Sequence, residues 1–191
     1  MAIQRPIVTG QFISLDGVVE APETWHFPYV DDELVAAIND MHASADTLLL
    51  GRVTYDAFAT SWPNQTGKLA DHLNGMRKLA ASNTLTAPKW TNSTIIGGDL
   101  VDAVTSLKQE PGRNILLSGS ITLTRTLLHA GLIDELRLFV HPIVLGSGRR
   151  LFPDDATDVP LTLIRSATYP TGVIELTYRP ATPTHQNGQT T

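Results

Sequence analysis

The segment Thr47-Leu-Leu-Leu-Gly-Arg-Val-Thr-Tyr-Asp56 changes character within a few residues. Its three consecutive leucines have no polar face, which is typical of a strand buried on both sides in a parallel sheet. Gly51, Arg52 and Thr54 then follow at the carboxyl end of that strand. Ligands of open α/β sheets bind outside the carboxyl ends of parallel strands. The segment therefore predicts a buried strand that emerges at a ligand-binding edge.

The composition indicates one folded domain. The chain has 191 residues, of which 42% are hydrophobic, and a formal net charge of −5. Without clustered Lys and Arg, an acidic chain is poorly suited to bind phosphate backbones, so we expect no nucleic acid partner. No apolar stretch approaches the roughly 20 residues that span a bilayer, so we also expect no membrane association.

The absence of cysteine narrows the chemistry further. It excludes disulfides, thiolate nucleophiles and Cys-ligated metal centres. The six histidines include no pair at the i, i+4 spacing of a helical metal site, so we predict no metal. The segment Met1–Pro6 lacks a basic region followed by an apolar one, and we expect a cytoplasmic protein.

Strand and helix patterns alternate over the first part of the chain. Strand patterns cover residues 7–14, 47–50, 78–84, 93–96 and 114–118, and helical spacing covers 31–45, 100–108 and 122–130. Alternation of this kind predicts parallel pairing.

After Gly131 only strand patterns follow, at residues 135–145, 161–164 and 173–178, which favours antiparallel pairing. The predicted fold class is α/β, a three-layer α/β/α domain over residues 1–179. Its central sheet is mixed and mostly parallel, and ends in an antiparallel strand pair. Residues 180–191 are almost without apolar content and are predicted to be a disordered tail.

Small and polar residues follow three of the predicted parallel strands. They are Gly51, Arg52 and Thr54; Ser82, Asn83 and Thr84; and Ser118, Gly119, Ser120 and Thr122. Backbone N–H groups near Gly119 and Ser120 could bind a pyrophosphate at a helix N-terminus, and Arg52 could pair with a separate phosphate. The alternative is that these residues only cap helices and turns, because caps prefer Ser, Thr and Gly.

Four segments together resemble the dihydrofolate reductase-like superfamily. They are Ser14–Gly17, Ala45–Asp56, Leu117–Ser120 and Leu132–Phe152. They are most similar to the C-terminal reductase domain of the bifunctional riboflavin biosynthesis deaminase-reductase, and the resemblance covers about residues 5–179. The partner deaminase needs a Pro-Cys-x-x-Cys motif, which this chain cannot contain. We therefore expect a stand-alone reductase.

The resemblance implies NADPH as the cofactor and assigns roles by position. Arg52 corresponds to the arginine at the 2′-phosphate, and Thr54 to a threonine near the pyrophosphate. Leu-Ser-Gly-Ser replaces the run of glycines common in dihydrofolate reductases. The remaining cofactor residues are Gly51 at the strand end, Ser82 and Asn83 at the adenine side, Ser118, Gly119, Ser120 and Thr122 under the pyrophosphate, and Asp16 and Gly17 in the mobile loop over the nicotinamide.

On the substrate side, the resemblance places an acid of the first helix against the heterocycle. Asp32 and Glu33 fall near that position and are the catalytic candidates, although acids at a helix start are also ordinary caps. Trp25 and Phe27, with the intervening His26, could stack on a planar ligand or could seal the core.

Two features near the end of the long strand pattern at 135–145 leave alternatives open. Gly146 and Gly148 form either a strand-end bulge or part of the substrate pocket, where backbone passes close to a ligand. His141 precedes Pro142 in a central strand, and we predict a packed, hydrogen-bonded histidine there.

These patterns and the resemblance lead to the hypothesis of an NADPH-dependent reductase. The substrate would be a small heterocycle, either pterin- or dihydrofolate-like or 5-amino-6-(5-phosphoribosylamino)uracil-like. The alternative is a non-catalytic protein that binds NADPH or a flavin. By analogy with riboflavin reductase domains we also expect a homodimer, through an apolar surface of the late antiparallel strands.

Overall fold

The computed structural model describes residues 4–153 and 157–181. Its strands are β1 (Ile7–Ser14), β2 (Ala45–Gly51), β3 (Arg77–Ala81), β4 (Ser93–Ile96), β5 (Asn114–Ser118), β6 (Glu135–His141), β7 (Leu161–Thr168) and β8 (Ile174–Pro180). Its helices are α1 (Asp32–Ala43), α2 (Arg52–Ser61), α3 (Lys68–Gly75), α4 (Leu100–Gln109) and α5 (Ile121–His129). Short 3-10 turns lie at Pro22–Thr24, Phe27–Tyr29 and Trp62–Asn64.

All eight strands form one sheet in the order β4-β3-β2-β5-β1-β6-β8-β7. The first six strands in this order are mutually parallel, whereas β8 is antiparallel to both β6 and β7. The predicted mixed sheet with an antiparallel end pair is therefore confirmed. Six strands end at one edge, where Gly51 pairs with Ala81 and Ser14 pairs with His141.

The leucines of β2 lie at the centre of two hydrophobic cores. Leu48 and Leu50 pack with the face that carries α1, α2 and α3, and Leu49 packs with the face that carries α4 and α5. All three leucines are fully buried, as the apolar run predicts. Each contributes roughly 1.5–3 kcal/mol relative to an exposed side chain.

Several element boundaries differ from the sequence pattern. The pattern assigns no helix to residues 52–75, where the structure has α2 and α3. Helix α2 begins with Arg-Val-Thr-Tyr, whose β-branched members have low helix propensity, and Tyr55 is its single buried residue. Such a helix has too narrow an apolar face to show a clear period.

Two predicted strands are shorter than expected. The strand predicted at 78–84 ends at Ala81, and the strand predicted at 135–145 ends at His141. The second ends there because Pro142 has no N–H to donate to a neighbouring strand. At the other end of the chain, β8 runs to Pro180, and residues 182–191 of the predicted tail lie outside the described residues.

Lys78 is a buried cation below the end of α3. Its side chain is 0% exposed. Its Nζ donates to the carbonyl oxygens of Asn74 and Met76 at 2.8 Å each, and lies 4.5 Å from the centre of the Trp90 ring. Burial lowers the pKa of Lys78 to about 8. Its hydrogen bonds satisfy carbonyl groups at the negative end of the helix dipole.

This lowered pKa gives the protein a pH-dependent stability. Between pH 8 and about 10.4, the usual pKa of lysine in an unfolded chain, the unfolded chain binds more protons than the folded one. The free energy of unfolding should therefore rise with pH across this window. Urea denaturation from pH 7.5 to 10.5 should show this rise in the wild type and in the exposed-site control Lys89→Met. The Lys78→Met variant should lack it, and parallel curves for all three proteins would contradict the assignment.

Candidate functional site

The carboxyl ends of β2 and β5 are joined by the backbone and hydroxyl of Ser120. The N–H of Gly51 donates to Ser120 Oγ at 2.8 Å. The N–H of Ser120 donates to Thr54 Oγ1 at 3.1 Å, and Ser120 Oγ donates to the Ser118 carbonyl at 3.1 Å. Because Gly51 and Ser120 are the N-cap residues of α2 and α5, these bonds bring two helix N-termini together.

The peptide between Gly119 and Ser120 is held from both sides in an unusual conformation. Both residues are left-handed, with φ of +54° and +58°, and a Cβ on Gly119 would lie 3.1 Å from Thr54 Cγ2. The carbonyl oxygen of Gly119 accepts from Gln11 Nε2 at 2.8 Å and from Thr124 Oγ1 at 3.1 Å. The sequence interpretation omits Gln11, whose only signal is an amide within a strand pattern.

Helices α2 and α5 differ from their neighbours in how their N-termini are capped. The carboxylates of Asp31 and Asp99 cap α1 and α4. Among the described residues, neither α2 nor α5 has a side-chain cap or an acid in its first turn. The protein therefore leaves the positive ends of two adjacent helix dipoles without a compensating carboxylate, which favours an anion there. Thr122 lies in this first turn of α5 and is exposed.

Arg52 lies beside these two N-termini and remains partly exposed. Its Nε donates to Asp56 at 2.6 Å, one helical turn further along α2. Its Nη1 donates to Thr84 Oγ1 at 3.1 Å, in the loop after β3. The hydroxyl of Ser82 supports that loop by accepting from the N–H groups of Thr84 and Leu85. The guanidinium is thus positioned, yet accessible to a second anion.

A groove of ≈ 220 Å³ opens between the ends of β3 and β4. Ser82 and Asn83 form one wall, and Gly97 and Gly98 contribute to the other. Asn83 Oδ1 accepts from the N–H of Gly98 at 3.0 Å, which ties the two walls together. The predicted adenine-side residues therefore border a groove next to the loop that Arg52 contacts.

Asp16 connects the loop after β1 to the loop after β6. Its carboxylate accepts from Ser14 Oγ at 2.6 Å and from the N–H groups of Leu145 and Gly146 at 3.1 and 2.8 Å. These bonds, that of Ser14 foremost, lower the pKa of Asp16 to about 2. The carbonyl of Gly17 accepts from the N–H of Leu151 at 2.9 Å. In this structure the loop after β1, which the resemblance identifies as mobile, is hydrogen-bonded to the loop after β6.

The two glycines of the second loop have different surroundings. A Cβ on Gly148 would lie 2.7 Å from Val18 Cγ1, so this glycine permits close packing of the two loops. No atom of the described residues lies within 4 Å of the corresponding position at Gly146, and its N–H donates to Asp16. Packing between the two loops accounts for Gly148, and Gly146 borders open space; the substrate-pocket role of both glycines stays a prediction.

A cluster of aromatic rings surrounds His141 at the end of β6. His141 is 0% exposed, and its Nδ1 donates to the Phe139 carbonyl at 2.8 Å because a carbonyl can only accept. Its Nε2 is buried and has no hydrogen-bond partner among the described residues. The predicted packed, hydrogen-bonded histidine is therefore satisfied at one nitrogen only. Burial lowers the pKa of His141, which favours the neutral ring.

The predicted aromatic substrate residues separate into different environments. Trp25 is buried against His141, with ring centres 5.2 Å apart, and its Nε1 donates to the Glu20 carbonyl. Phe27 is 64% exposed. Trp25 is thus part of the core wall, whereas Phe27 is available to a ligand.

The catalytic candidates Asp32 and Glu33 are both exposed in the first turn of α1. The capping role belongs to Asp31, which accepts from the N–H of Leu34 at 2.8 Å and from the Thr171 hydroxyl at 3.2 Å.

Within residues 4–153 and 157–181, no group of three potential metal ligands is found. No helix in that part of the chain is long and apolar enough to cross a membrane.

The hydrogen bonds of Asp16 predict a loss of stability in acid. Its folded pKa of about 2 lies below the usual value of about 3.9. Its contribution should be complete above pH 4 and lost as the pH falls towards 2. Unfolding curves from pH 5 to pH 2 should fall less steeply for Asp16→Asn than for the wild type or the exposed-site control Asp40→Asn. Faster amide exchange at Gly146 in Asp16→Asn, and not in the control, would identify the loop contact as the cause.

Comparisons with known proteins place the chain in a family. The sequence model of the RibD C-terminal domain matches residues 6–174. The uncharacterized protein YyaP of Bacillus subtilis is 29% identical over 97% of both chains.

Solved structures share the fold. A putative riboflavin biosynthesis protein from Shewanella sp. PV-4 superposes with a TM-score of 0.72 at 24% identity, over 93% of this chain and 99% of that one. Dihydrofolate reductase from Enterococcus faecalis, complexed with NADP(H), gives 0.65 at 13% identity, over 94% and 99%. With a sheet of the dihydrofolate reductase type and a family match over most of its length, this chain belongs to the RibD C-terminal domain family.

Proposed function

We propose that this protein is an NADPH-dependent reductase that transfers a hydride to a C=N or C=O bond of a small heterocyclic substrate. The observation that carries this proposal is the meeting of two uncapped helix N-termini, those of α2 and α5, beside the positioned guanidinium of Arg52. The family match supports it, as does the shared fold of a dihydrofolate reductase solved with NADP(H).

The residues present fit the phosphate groups of NADPH. A pyrophosphate suits the N-termini of α2 and α5, because their dipoles and N–H groups favour an anion. Close approach is possible because Gly119 has no side chain beside Thr54. Arg52 would bind the 2′-phosphate, and the adenine would occupy the groove that Ser82 and Asn83 border.

The nicotinamide and the substrate would lie further along the same edge, at the ends of β1 and β6. Bound NADPH supplies the hydride. The chain's task is to hold both rings in contact and to exclude water. Leu15 and Val144 expose large apolar side chains there, 63% and 68% accessible, which suit a flat ring. Asp32 and Glu33 remain the candidate proton donors, with water as the other source.

The substrate class follows from the same comparison. We propose a pterin- or dihydrofolate-like ring or a 5-amino-6-(5-phosphoribosylamino)uracil-like ring. Of the solved structures that share the fold, one is a putative riboflavin biosynthesis protein and another is a dihydrofolate reductase. A cytoplasmic location is consistent with such metabolites.

The test is cofactor binding followed by turnover. Energy transfer to bound NADPH should show binding, and NADPH oxidation should require a member of a panel of pterins and ribosylated or ribitylated pyrimidines. Binding without oxidation by any acceptor would favour the non-catalytic alternative. A yellow purified protein would indicate a flavin, and absence of NADPH binding would overturn the proposal.

Arg52→Ala should weaken NADPH binding by about 1.5 to 3 kcal/mol, the range for hydrogen bonds to charged groups. NADH binding should change much less, because NADH lacks the 2′-phosphate. Arg77→Ala is a matched control, since Arg77 is also partly exposed and paired with an acid, Glu110, but begins β3 at the opposite edge of the sheet. Equal losses for NADPH and NADH in Arg52→Ala would remove the phosphate assignment.

We also propose a homodimer through the β7–β8 end of the sheet. Leu163, Ile164 and Ile174 are apolar and exposed there, and β7 is the terminal strand of the described sheet. Light scattering should give about twice the 20.7 kDa mass of the chain, and Leu163→Lys should lower it. A wild-type mass near that of one chain would contradict the proposal.

A further inference from the structure

Two histidine nitrogens near the ends of β1 and β6 have no hydrogen-bond partner among the described residues. They are Nε2 of His141 and Nδ1 of His26, and both are buried. His141 has already donated its Nδ1–H to the Phe139 carbonyl, so its Nε2 carries a free lone pair. A buried acceptor without a donor costs free energy. Such an atom points to a ligand that supplies the missing donor.

The ring of His26 lies in an aromatic slot. It stacks on Phe12 with ring centres 4.7 Å apart and planes 20° from parallel. On its other side it contacts Phe27, at 4.2 Å and 37°. By contrast, His141 meets Phe12 and His26 edge-on, at 72° and 85°. A flat ring in this slot therefore lies nearly perpendicular to the His141 ring, with ring centres about as far apart as the 6.1 Å between His26 and His141.

The segment 21–30, which carries His26, begins at a strained residue. Ala21 has a left-handed φ of +44°, a strained conformation for a residue with a side chain. The two 3-10 turns that follow have no side-chain cap. The segment is anchored by the Trp25 Nε1 bond to Glu20 and by the Thr171 hydroxyl, which donates to the Tyr29 carbonyl at 2.7 Å. His26 Nδ1 forms no hydrogen bond to residues 4–153 or 157–181, so movement of the ring would break none at this atom.

We propose that the imidazole of His26 occupies the position that a planar heterocyclic ligand takes when it binds. The ligand ring stacks on Phe12 once His26 has moved aside, and a ring N–H of the ligand donates to Nε2 of His141. This inference rests on the proposed function, since it names how the heterocycle is recognised. The slot lies at the ends of β1 and β6, where Ser14 pairs with His141, on the same edge as the helix N-termini.

A neutral acceptor at this position selects among heterocycles. Pterins and uracils carry ring N–H groups, and N-alkylated analogues of the same shape do not. The site therefore prefers an unsubstituted ring edge, because an alkylated ring leaves the His141 lone pair unpaired and adds a group that must fit against it.

The first test uses the unmodified protein and two small probes. Calorimetric titration, with and without NADPH, compares 5,6-diaminouracil with 1,3-dimethyl-5,6-diaminouracil, in which both ring N–H groups are methylated. We expect the methylated probe to bind at least about tenfold more weakly. Equal affinities would overturn the proposal, as would absence of binding by both diaminouracil and pterin.

The second test changes the acceptor. His141→Phe keeps a ring in the aromatic cluster but removes both nitrogens, so diaminouracil affinity should fall about tenfold, and the loss of the Nδ1–H bond to the Phe139 carbonyl should also lower the unfolding midpoint. His42→Phe is the matched control, because His42 is also buried with its Nδ1 bound to a carbonyl, that of Ile38. A purely structural role for His141 predicts a lowered midpoint with unchanged probe affinity, which is also the result expected for His42→Phe.

The third test removes the ring that occupies the slot. His26→Ala should bind diaminouracil about threefold or more tightly, since no side chain must be displaced, and unchanged or weaker binding would count against the proposal. This variant and the methylated probe decide the question even if His141→Phe does not fold. NADPH binding, measured separately by fluorescence, distinguishes the two proposals. If only the slot proposal is wrong, the protein still binds NADPH. If the proposed function is wrong, it does not bind NADPH.

Discussion

The contact between the N-termini of α2 and α5 is the constraint on which the ligand edge depends. Two positive dipole ends repel each other, and in this fold they are held side by side by Gly51, Thr54 and Ser120. The N–H of Ser120, in the left-handed Gly119–Ser120 peptide, donates to Thr54, and the side-chain amide of Gln11 donates to the Gly119 carbonyl. Stabilisation comes from hydroxyl groups, which neutralise no charge. The hydroxyl groups hold the two N-termini together but do not reduce the repulsion between their dipoles. A bound anion would reduce it.

At the opposite edge of the sheet, charged side chains are paired with one another. Arg5 is almost fully buried, pairs with Asp46 and donates its Nε to the Arg113 carbonyl at 2.8 Å. Asp46 in turn accepts from the N–H of Arg113 at 2.7 Å, and a Cβ on Gly112 would collide with the Arg5 side chain. Charges at this edge are compensated within the protein. The candidate site lies at the other edge, where the N-termini of α2 and α5 have no carboxylate cap among the described residues.

The sequence predicts the parts of this design that depend on neighbours in the chain. The three leucines of β2 indicate a doubly buried strand because their pattern is local, and the small residues after β2, β3 and β5 mark the ligand edge for the same reason. Helix α2 is missed because Tyr55 is its one buried side chain. The partnership of Gln11 with Gly119 spans 108 residues, and the unpaired nitrogen of His141 depends on rings from three segments. Neither has a local signature.

The fastening of the loop after β1 to the loop after β6 determines how ligands can reach the edge. Leu15 binds Ile143, Val19 binds Arg149 and Gly17 binds Leu151, all through backbone groups. These bonds join the two loops to each other, so on the proposals above the heterocycle enters at the segment 21–30 instead. On the proposed function, the dinucleotide approaches across α2 and α5 and the heterocycle approaches beneath the segment 21–30. On these proposals, the separate routes of approach mean that neither ligand has to bind before the other.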